Sequence, residues 1–103
     1  MAEDTSVYRL TLYVAGGSRA TYATQNIRRF FEEVVQTPYE LDIVDVLREP
    51  EKAEAAHVLA TPTLVMKEPL PARRIVGDFS DPARLRVALG HLSAHATDSA
   101  GER

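Results

Sequence analysis

The apolar positions of the chain change period several times, and each change marks an element. From Tyr8 to Val14 the side chains alternate, with Tyr8, Leu10, Leu12 and Val14 on one face and Arg9, Thr11 and Tyr13 on the other, which predicts a strand. Ala15-Gly16-Gly17 supplies a tight turn. Ala23, Ile27, Phe30, Phe31 and Val34 then follow helical spacing, with Ser18 or Thr21 as candidate caps and Thr37-Pro38 as the stop. Arg28–Glu32 and Arg29–Glu33 are available as i,i+4 pairs on that helix. Tyr39 to Leu47 reads as a second strand, and Val44 and Val46 at its apolar end suit a strand covered on both faces.

Pro50 opens a short helix through Ala53, Ala56 and His57. Leu59 to Val65 is an apolar strand entered through Pro62, Pro69-Leu70-Pro71 is a rigid connection, and Arg73 to Val76 is a further strand. Gly77-Asp78 breaks it, and Asp81 with Pro82 makes a cap and first turn. Leu85, Ala88, Leu89 and Leu92 form the apolar stripe of a last helix. The order βαβαββα is that of a thioredoxin-like α/β fold, with a mixed sheet whose first two strands pair in parallel through a right-handed crossover. Residues 8–93 are expected to form the domain, between a flexible N-terminal segment 1–7 and a flexible tail 94–103.

Composition narrows the chemistry. The chain has 103 residues, a net charge of −3 and no cysteine. Dithiol exchange, thiolate metal sites and cysteine nucleophiles are excluded, because each needs a sulfur. The slight negative charge argues against a nucleic-acid or anionic-membrane binder. Without a signal-like N-terminus or a membrane-length apolar run, a cytoplasmic protein is expected. Nothing resembles a phosphate-binding loop, a catalytic triad or paired carboxylates, so no enzyme and no cofactor are expected. His91 and His95 share a helical face but lack a third ligand, and His57 lies on another element, so no metal site is expected either. Thr61-Pro62-Thr63 occupies the place of the cis-proline of thioredoxin folds, where its expected role is backbone shaping. Asp45 and Asp78 read as turn residues.

Tyr13-Val14-Ala15-Gly16, Ile43-Val44-Asp45-Val46-Leu47, Leu59-Ala60-Thr61-Pro62-Thr63-Leu64, Pro69-Leu70-Pro71 and Arg73-Arg74-Ile75-Val76-Gly77-Asp78-Phe79-Ser80 occur together and in order. In that combination the chain resembles the KaiB family of bacterial circadian-clock proteins from about Tyr8 to Leu92. The resemblance implies binding to a KaiC-like hexameric ATPase, with KaiA-like or SasA-like clock components as further partners. It also implies a second fold, βαββααβ in the C-terminal half, held in a dimeric or tetrameric ground state that exchanges with a thioredoxin-like monomer. The partner-binding residues it suggests are Tyr39, Glu40, Asp42, Arg48, Arg73 and Arg74. Those tied to the fold change or its scaffold are Tyr8, Pro62, Pro69, Pro71, Gly77, Asp78, Ala88 and Gly90.

Some positions depart from the clock relatives. Ala88 replaces a glycine and favours helix by about 1 kcal/mol, while Gly90 opposes it by as much. Asp42 stands where a lysine is common, which calls for a partner of complementary charge. Arg73, Arg74, Lys67 and Arg48 form either a basic patch or a solvated strand edge, and Tyr8, Tyr13 and Tyr39 serve either core packing or association. Two other functions compete with the clock reading. One is a stand-alone, non-redox thioredoxin-like module in stress or signalling responses. The other is an enzyme of the glutathione-transferase kind, which the missing helical domain disfavours.

Overall fold

The computed structural model describes residues 7–90, in the order β1 (Tyr8–Val14), α1 (Gly17–Arg29), β2 (Tyr39–Asp45), α2 (Pro50–Ala55), β3 (Thr63–Glu68), β4 (Arg73–Val76) and α3 (Pro82–Leu89). A π-helical turn, Phe30–Val34, extends α1. The βαβαββα order agrees with the sequence reading. Leu92, His91 and His95 lie outside the described residues, as do the proposed tail 94–103 and most of the segment 1–7.

The strands form one mixed sheet in the order β2-β1-β3-β4. β1 pairs in parallel with β2 and antiparallel with β3, and β3 pairs antiparallel with β4. β1 is central, so its C-terminal half is buried on both faces: Leu10 to Val14 are all buried, Thr11 and Tyr13 included. One face carries the main core, where Leu10, Leu12, Leu64 and Met66 meet Ala23, Ile27, Phe30 and Phe31 of α1 and Leu85 and Leu89 of α3. The other face is covered by α2, whose Ala53 packs over Tyr13 and Val44. Because α2 has only 6 residues, it covers one end of that face and leaves the rest open.

Several boundaries differ from expectation for local reasons. Val34 is 39% exposed, while Val35 is buried. The Val35 N–H bonds the Phe30 carbonyl at 2.9 Å, five residues back, and this wide turn rotates the stripe by one position. Neither Ser18 nor Thr21 caps α1; Gly16, at φ 80°, holds the cap position without a side-chain bond. The Arg28–Glu32 pair is bridged through the Tyr39 hydroxyl, and Arg29 turns to Asn26 instead of Glu33. β2 is an edge strand, and Ile43 is 41% exposed, so the expectation of full cover on both faces is corrected.

β3 starts at Thr63, not Leu59, because ladder pairing to β1 and β4 begins there, while Leu59 projects into solvent at 97% exposure. α2 stops at Ala55, before His57, whose φ of 56° is not helical. The Asp81 cap is as expected: its carboxylate accepts the Ala83 N–H at 3.0 Å, with Pro82 in the first turn. Gly90 is not helical. It ends α3 at φ 79°, so the interior-helix penalty anticipated for it does not arise.

Candidate partner-binding surface

Parallel pairing brings the carboxyl ends of β1 and β2 to the same end of the sheet, and antiparallel pairing brings the start of β3 and the end of β4 there too. Three connections therefore meet: Ala15–Gly17 ahead of α1, the cis Thr61–Pro62 bond, and Gly77–Ser80 after β4. The Gly77 N–H bonds the Pro62 carbonyl at 3.1 Å, tying the second to the third. Pro62 is buried beneath this end. A redox thioredoxin fold would carry its thiols at the start of α1, where the helix N-terminus favours a thiolate. Here that place is Gly16-Gly17-Ser18, so the geometry is kept while the nucleophile is absent.

Around this scaffold the suggested binding residues separate into distinct locations. Tyr39, Glu40 and Asp42 lie on edge strand β2. The Tyr39 ring stacks on Phe31 with centroids 5.2 Å apart, and its hydroxyl meets Glu32 and, at 3.5 Å, Arg28. Partial burial, followed by the hydrogen bond to Glu32, raises its pKa. Glu40 and Asp42 are exposed, and Arg9 bridges Glu40 to Glu68, the latter at 3.1 Å. These side chains are half-exposed or more, so each pair stabilises by no more than about 1 kcal/mol.

Arg73 and Arg74 lie on β4, at the opposite edge of the sheet, with β1 and β3 in between. At roughly 4.8 Å per strand step this is about 14 Å from β2. Adjacent residues on a strand point to opposite faces, and the two arginines do so. A Cβ at Gly90 would lie 3.1 Å from the Arg73 guanidinium, which places that cation at the C-terminus of α3, where the helix dipole favours it. Arg74 instead donates to the carbonyls of Ala56 (2.8 Å) and His57 (3.2 Å) at the end of α2. Arg48 stands after β2, 3.8 Å from Asp45. Lys67 is the bulged residue of β3 between Arg9 and Leu10 pairing. The four cations thus occupy separate places, and the structure forms no single basic patch from them.

Lys67 lines a depression of about 410 Å³ with Arg9, Thr11, Glu40 and Asp42, on the half of the sheet that α2 leaves open. Its cations and carboxylates are mixed, which makes it a polar contact surface and not an anion trap. Among the described residues no group of three or more His, Asp or Glu comes together as a metal-ligand set. No helix among them is long and apolar enough to cross a membrane.

The remaining suggested residues are structural in their contacts. Tyr8 is 6% exposed and packs against Phe31 at 5.7 Å; Tyr13 is buried under α2 with Val44. Both are core residues, whereas Tyr39 stays partly accessible. The Glu68–Pro69 and Leu70–Pro71 bonds are cis, like that of Pro62. Gly77 has a φ of 148°, and Ala88 is half-buried on α3. The Asp78 carboxylate accepts the Ser80 N–H at 3.0 Å, and the Ser80 hydroxyl and N–H hold its pKa below the ordinary carboxylate value. Asp45 likewise accepts the Leu47 N–H at 3.0 Å, so both aspartates are turn residues as expected.

One residue of this region escaped the sequence reading. Asn26 sits on the buried face of α1 at 4% exposure, and its amide donates to the Asp78 carbonyl at 2.9 Å. Its signal was available: a polar residue three positions after Ala23 and next to Ile27, inside an otherwise apolar stripe.

The architecture and the missing thiols define the class: a thioredoxin-like domain without dithiol redox chemistry. Comparison with known structures agrees on the fold. The N-terminal domain of SasA from Synechococcus elongatus superposes with a TM-score of 0.66 at 22% identity, over 82% of this chain and 84% of that one. The germline-specific thioredoxin Deadhead of Drosophila melanogaster superposes at 0.58 and 15% identity, over 84% and 83%. The sequence is more specific. The KaiB domain family model matches residues 11–91. The circadian clock oscillator protein KaiB of Synechococcus elongatus is 41% identical over 93 residues, 89% of this chain and 91% of that protein. Its counterpart in Prochlorococcus marinus is 43% identical over 86 residues, 82% and 72% of the two chains. The chain belongs to the KaiB family. Relatives of this kind are clock proteins and not enzymes, in line with the non-enzymatic expectation.

Proposed function

We propose that this chain is a cytoplasmic KaiB-type clock regulator that binds a KaiC-type hexameric ATPase in its thioredoxin-like form. One observation supports this reading above the others: a KaiB-family sequence adopts, through α3, the arrangement shared with the SasA N-terminal domain and with thioredoxins. In the family's other form, βαββααβ, the C-terminal half would rearrange and copies would associate as a dimer or tetramer. The mechanism is then conformational selection. The partner draws the thioredoxin-like monomer from the equilibrium, and its apparent Kd is the intrinsic value divided by the fraction in that form. Tyr39, Glu40 and Asp42 on β2 remain accessible in that form, and a partner of complementary charge would steer toward the acidic edge.

The test is size-exclusion co-elution with the cognate KaiC-type ATPase, loaded in turn with ATP and ADP. Complex formation that depends on the nucleotide supports the reading. Absence of a complex with both nucleotides refutes it.

A further inference from the structure

The half of the sheet that α2 leaves open holds a buried hydroxyl with nothing to bond. Besides the tyrosines, three polar side chains are buried among the described residues: Thr11, Asn26 and Thr63. Asn26 donates to the Asp78 carbonyl at 2.9 Å, and Thr63 to that of Ala60 at 2.6 Å. Thr11, at 3% exposure, has no such bond. Leaving a buried hydroxyl unpaired is unfavourable, and valine has the same shape without that cost. Thr11 lies at the floor of the depression of about 410 Å³ that Arg9, Glu40, Asp42 and Lys67 surround, a size that holds a small molecule.

The charges around it are left over by the local backbone. β3 bulges where Arg9 pairs with Glu68 and Leu10 with Met66, so Lys67 has no opposite residue on β1. A bulge re-aims a side chain. Here Glu68 takes the Arg9 guanidinium at 3.1 Å, which also meets Glu40, while Lys67 lines the depression with no carboxylate at ion-pair distance. On the other side Asp42 lies opposite Thr11 on β2 and makes no hydrogen bond or ion pair. Lys52 of α2 feels Asp42 only through space, its ammonium being held by Glu49 at 2.7 Å. β1 runs between β2 and β3. The depression therefore presents an unpaired anion, an unpaired hydroxyl and an unpaired cation in sequence across three strands.

We infer that this depression is a binding site for a small zwitterion of the ω-amino acid class. The ligand's carboxylate meets the Lys67 ammonium and accepts the Thr11 hydroxyl from below, and its ammonium meets the Asp42 carboxylate. Side chains standing upright on strands two steps, or about 10 Å, apart, with a charged contact of about 2.8 Å at each end, leave about 4–5 Å between the ligand's own charges. An α-amino acid is too short for that gap, whereas γ-aminobutyrate spans it. A simple anion or cation satisfies one end and leaves the other without a partner. Arg9 takes no part, because Glu40 and Glu68 already hold it. The inference concerns the isolated chain and goes beyond the partner-binding reading, so either can fail without the other.

Titration of the isolated, isotope-labelled protein with γ-aminobutyrate, followed by amide chemical shifts, tests it. Butyrate and butylammonium, the same chain with one charge each, are titrated in parallel at equal ionic strength. Saturable shifts at Thr11, Asp42 and Lys67 are expected with γ-aminobutyrate, half-complete in the millimolar range. Either singly charged analogue should bind at least about ten-fold more weakly. Lys67→Gln and Asp42→Asn should each weaken binding by about ten-fold. Thr11→Val should weaken it by about three- to ten-fold while its urea midpoint equals or exceeds that of wild type. Shifts that grow linearly without saturating overturn the inference, as do equal binding of butyrate and unchanged affinity in the Lys67→Gln and Asp42→Asn proteins. A Thr11→Val protein that unfolds at lower urea also overturns it, because the hydroxyl then has a structural partner such as a bound water.

Discussion

Replacing Gly90 by alanine gives a change in stability whose sign depends on the arrangement of the C-terminal half. In the structure Gly90 ends α3 at φ 79° and ψ −153°, with its N–H on the Val87 carbonyl at 3.3 Å. That region of backbone space is nearly exclusive to glycine, and holding another residue there costs about 1–3 kcal/mol. Alanine recovers about 0.4–1 kcal/mol by restricting the unfolded chain. The new Cβ would lie 3.1 Å from the Arg73 guanidinium, but this is the end of a long, exposed side chain that can swing aside at little cost. The net expectation is a loss of about 0.5–2 kcal/mol. If residue 90 were instead inside a helix, as in a rearranged C-terminal half, alanine would gain about 1 kcal/mol. Urea unfolding followed by far-ultraviolet circular dichroism measures the difference directly, provided that the slope with urea is unchanged. A Gly90→Ala protein that is more stable than wild type refutes this placement of the C-terminal end of α3.

Other expectations follow from single contacts. Phe31 is fully buried and meets Tyr8, Phe30 and Tyr39 at 5.7, 5.3 and 5.2 Å, so Phe31→Ala should lose about 3–5 kcal/mol by urea titration, a large part of the stability of a small domain. Asp81→Ala removes the α3 cap and should lose about 1 kcal/mol, seen as a melting temperature lower by several degrees. The π-turn predicts opposite tolerance at neighbouring positions: Val34→Ser should change stability by less than about 0.5 kcal/mol, and Val35→Ser by well over about 1 kcal/mol. Burial raises the Tyr8 pKa above its ordinary value of 10.0. The folded state therefore prefers the neutral phenol, and this contribution is complete below pH 10 and is lost as pH rises through the folded pKa. Tyr8→Phe should accordingly flatten the alkaline limb of a stability-versus-pH curve.

The elements were legible because their periods differ, and both the order and the capping of α3 by Asp81 followed from local chemistry. The π-turn was not legible. Nothing in Phe30-Phe31-Glu32-Glu33-Val34 marks a five-residue hydrogen bond, and a 3.6-residue period assigns Val34 to the core in place of Val35. The edge position of β2 also depends on long-range pairing, which a run of apolar residues does not encode. For the site, the missing thiol was decisive from composition alone. The spatial grouping was not, because Arg73-Arg74 reads as one cluster along the chain while a strand sends the two side chains to opposite faces. One lies at the end of α3 and the other clamps α2.

That division has a consequence for how the domain holds together. The C-terminal strand and helix are tied to the rest of the domain from two sides, and each tie ends on backbone carbonyls. On the α1 side Asn26 holds the Asp78 carbonyl, and on the α2 side Arg74 of β4 holds those of Ala56 and His57. Carbonyl contacts of this kind are indifferent to side-chain identity at the accepting position but sensitive to backbone path. They are satisfied only when β4 lies beside β3 in the observed register, with Val65 opposite Arg74. A one-residue slip would turn Arg74 to the other face and exchange its place with Arg73. The apolar contacts of Phe79, Leu85 and Leu89 supply most of the attraction, yet they are non-directional and tolerate alternative packings. The polar ties therefore contribute register more than strength, and the thioredoxin-like arrangement is specified where the two halves of the chain meet.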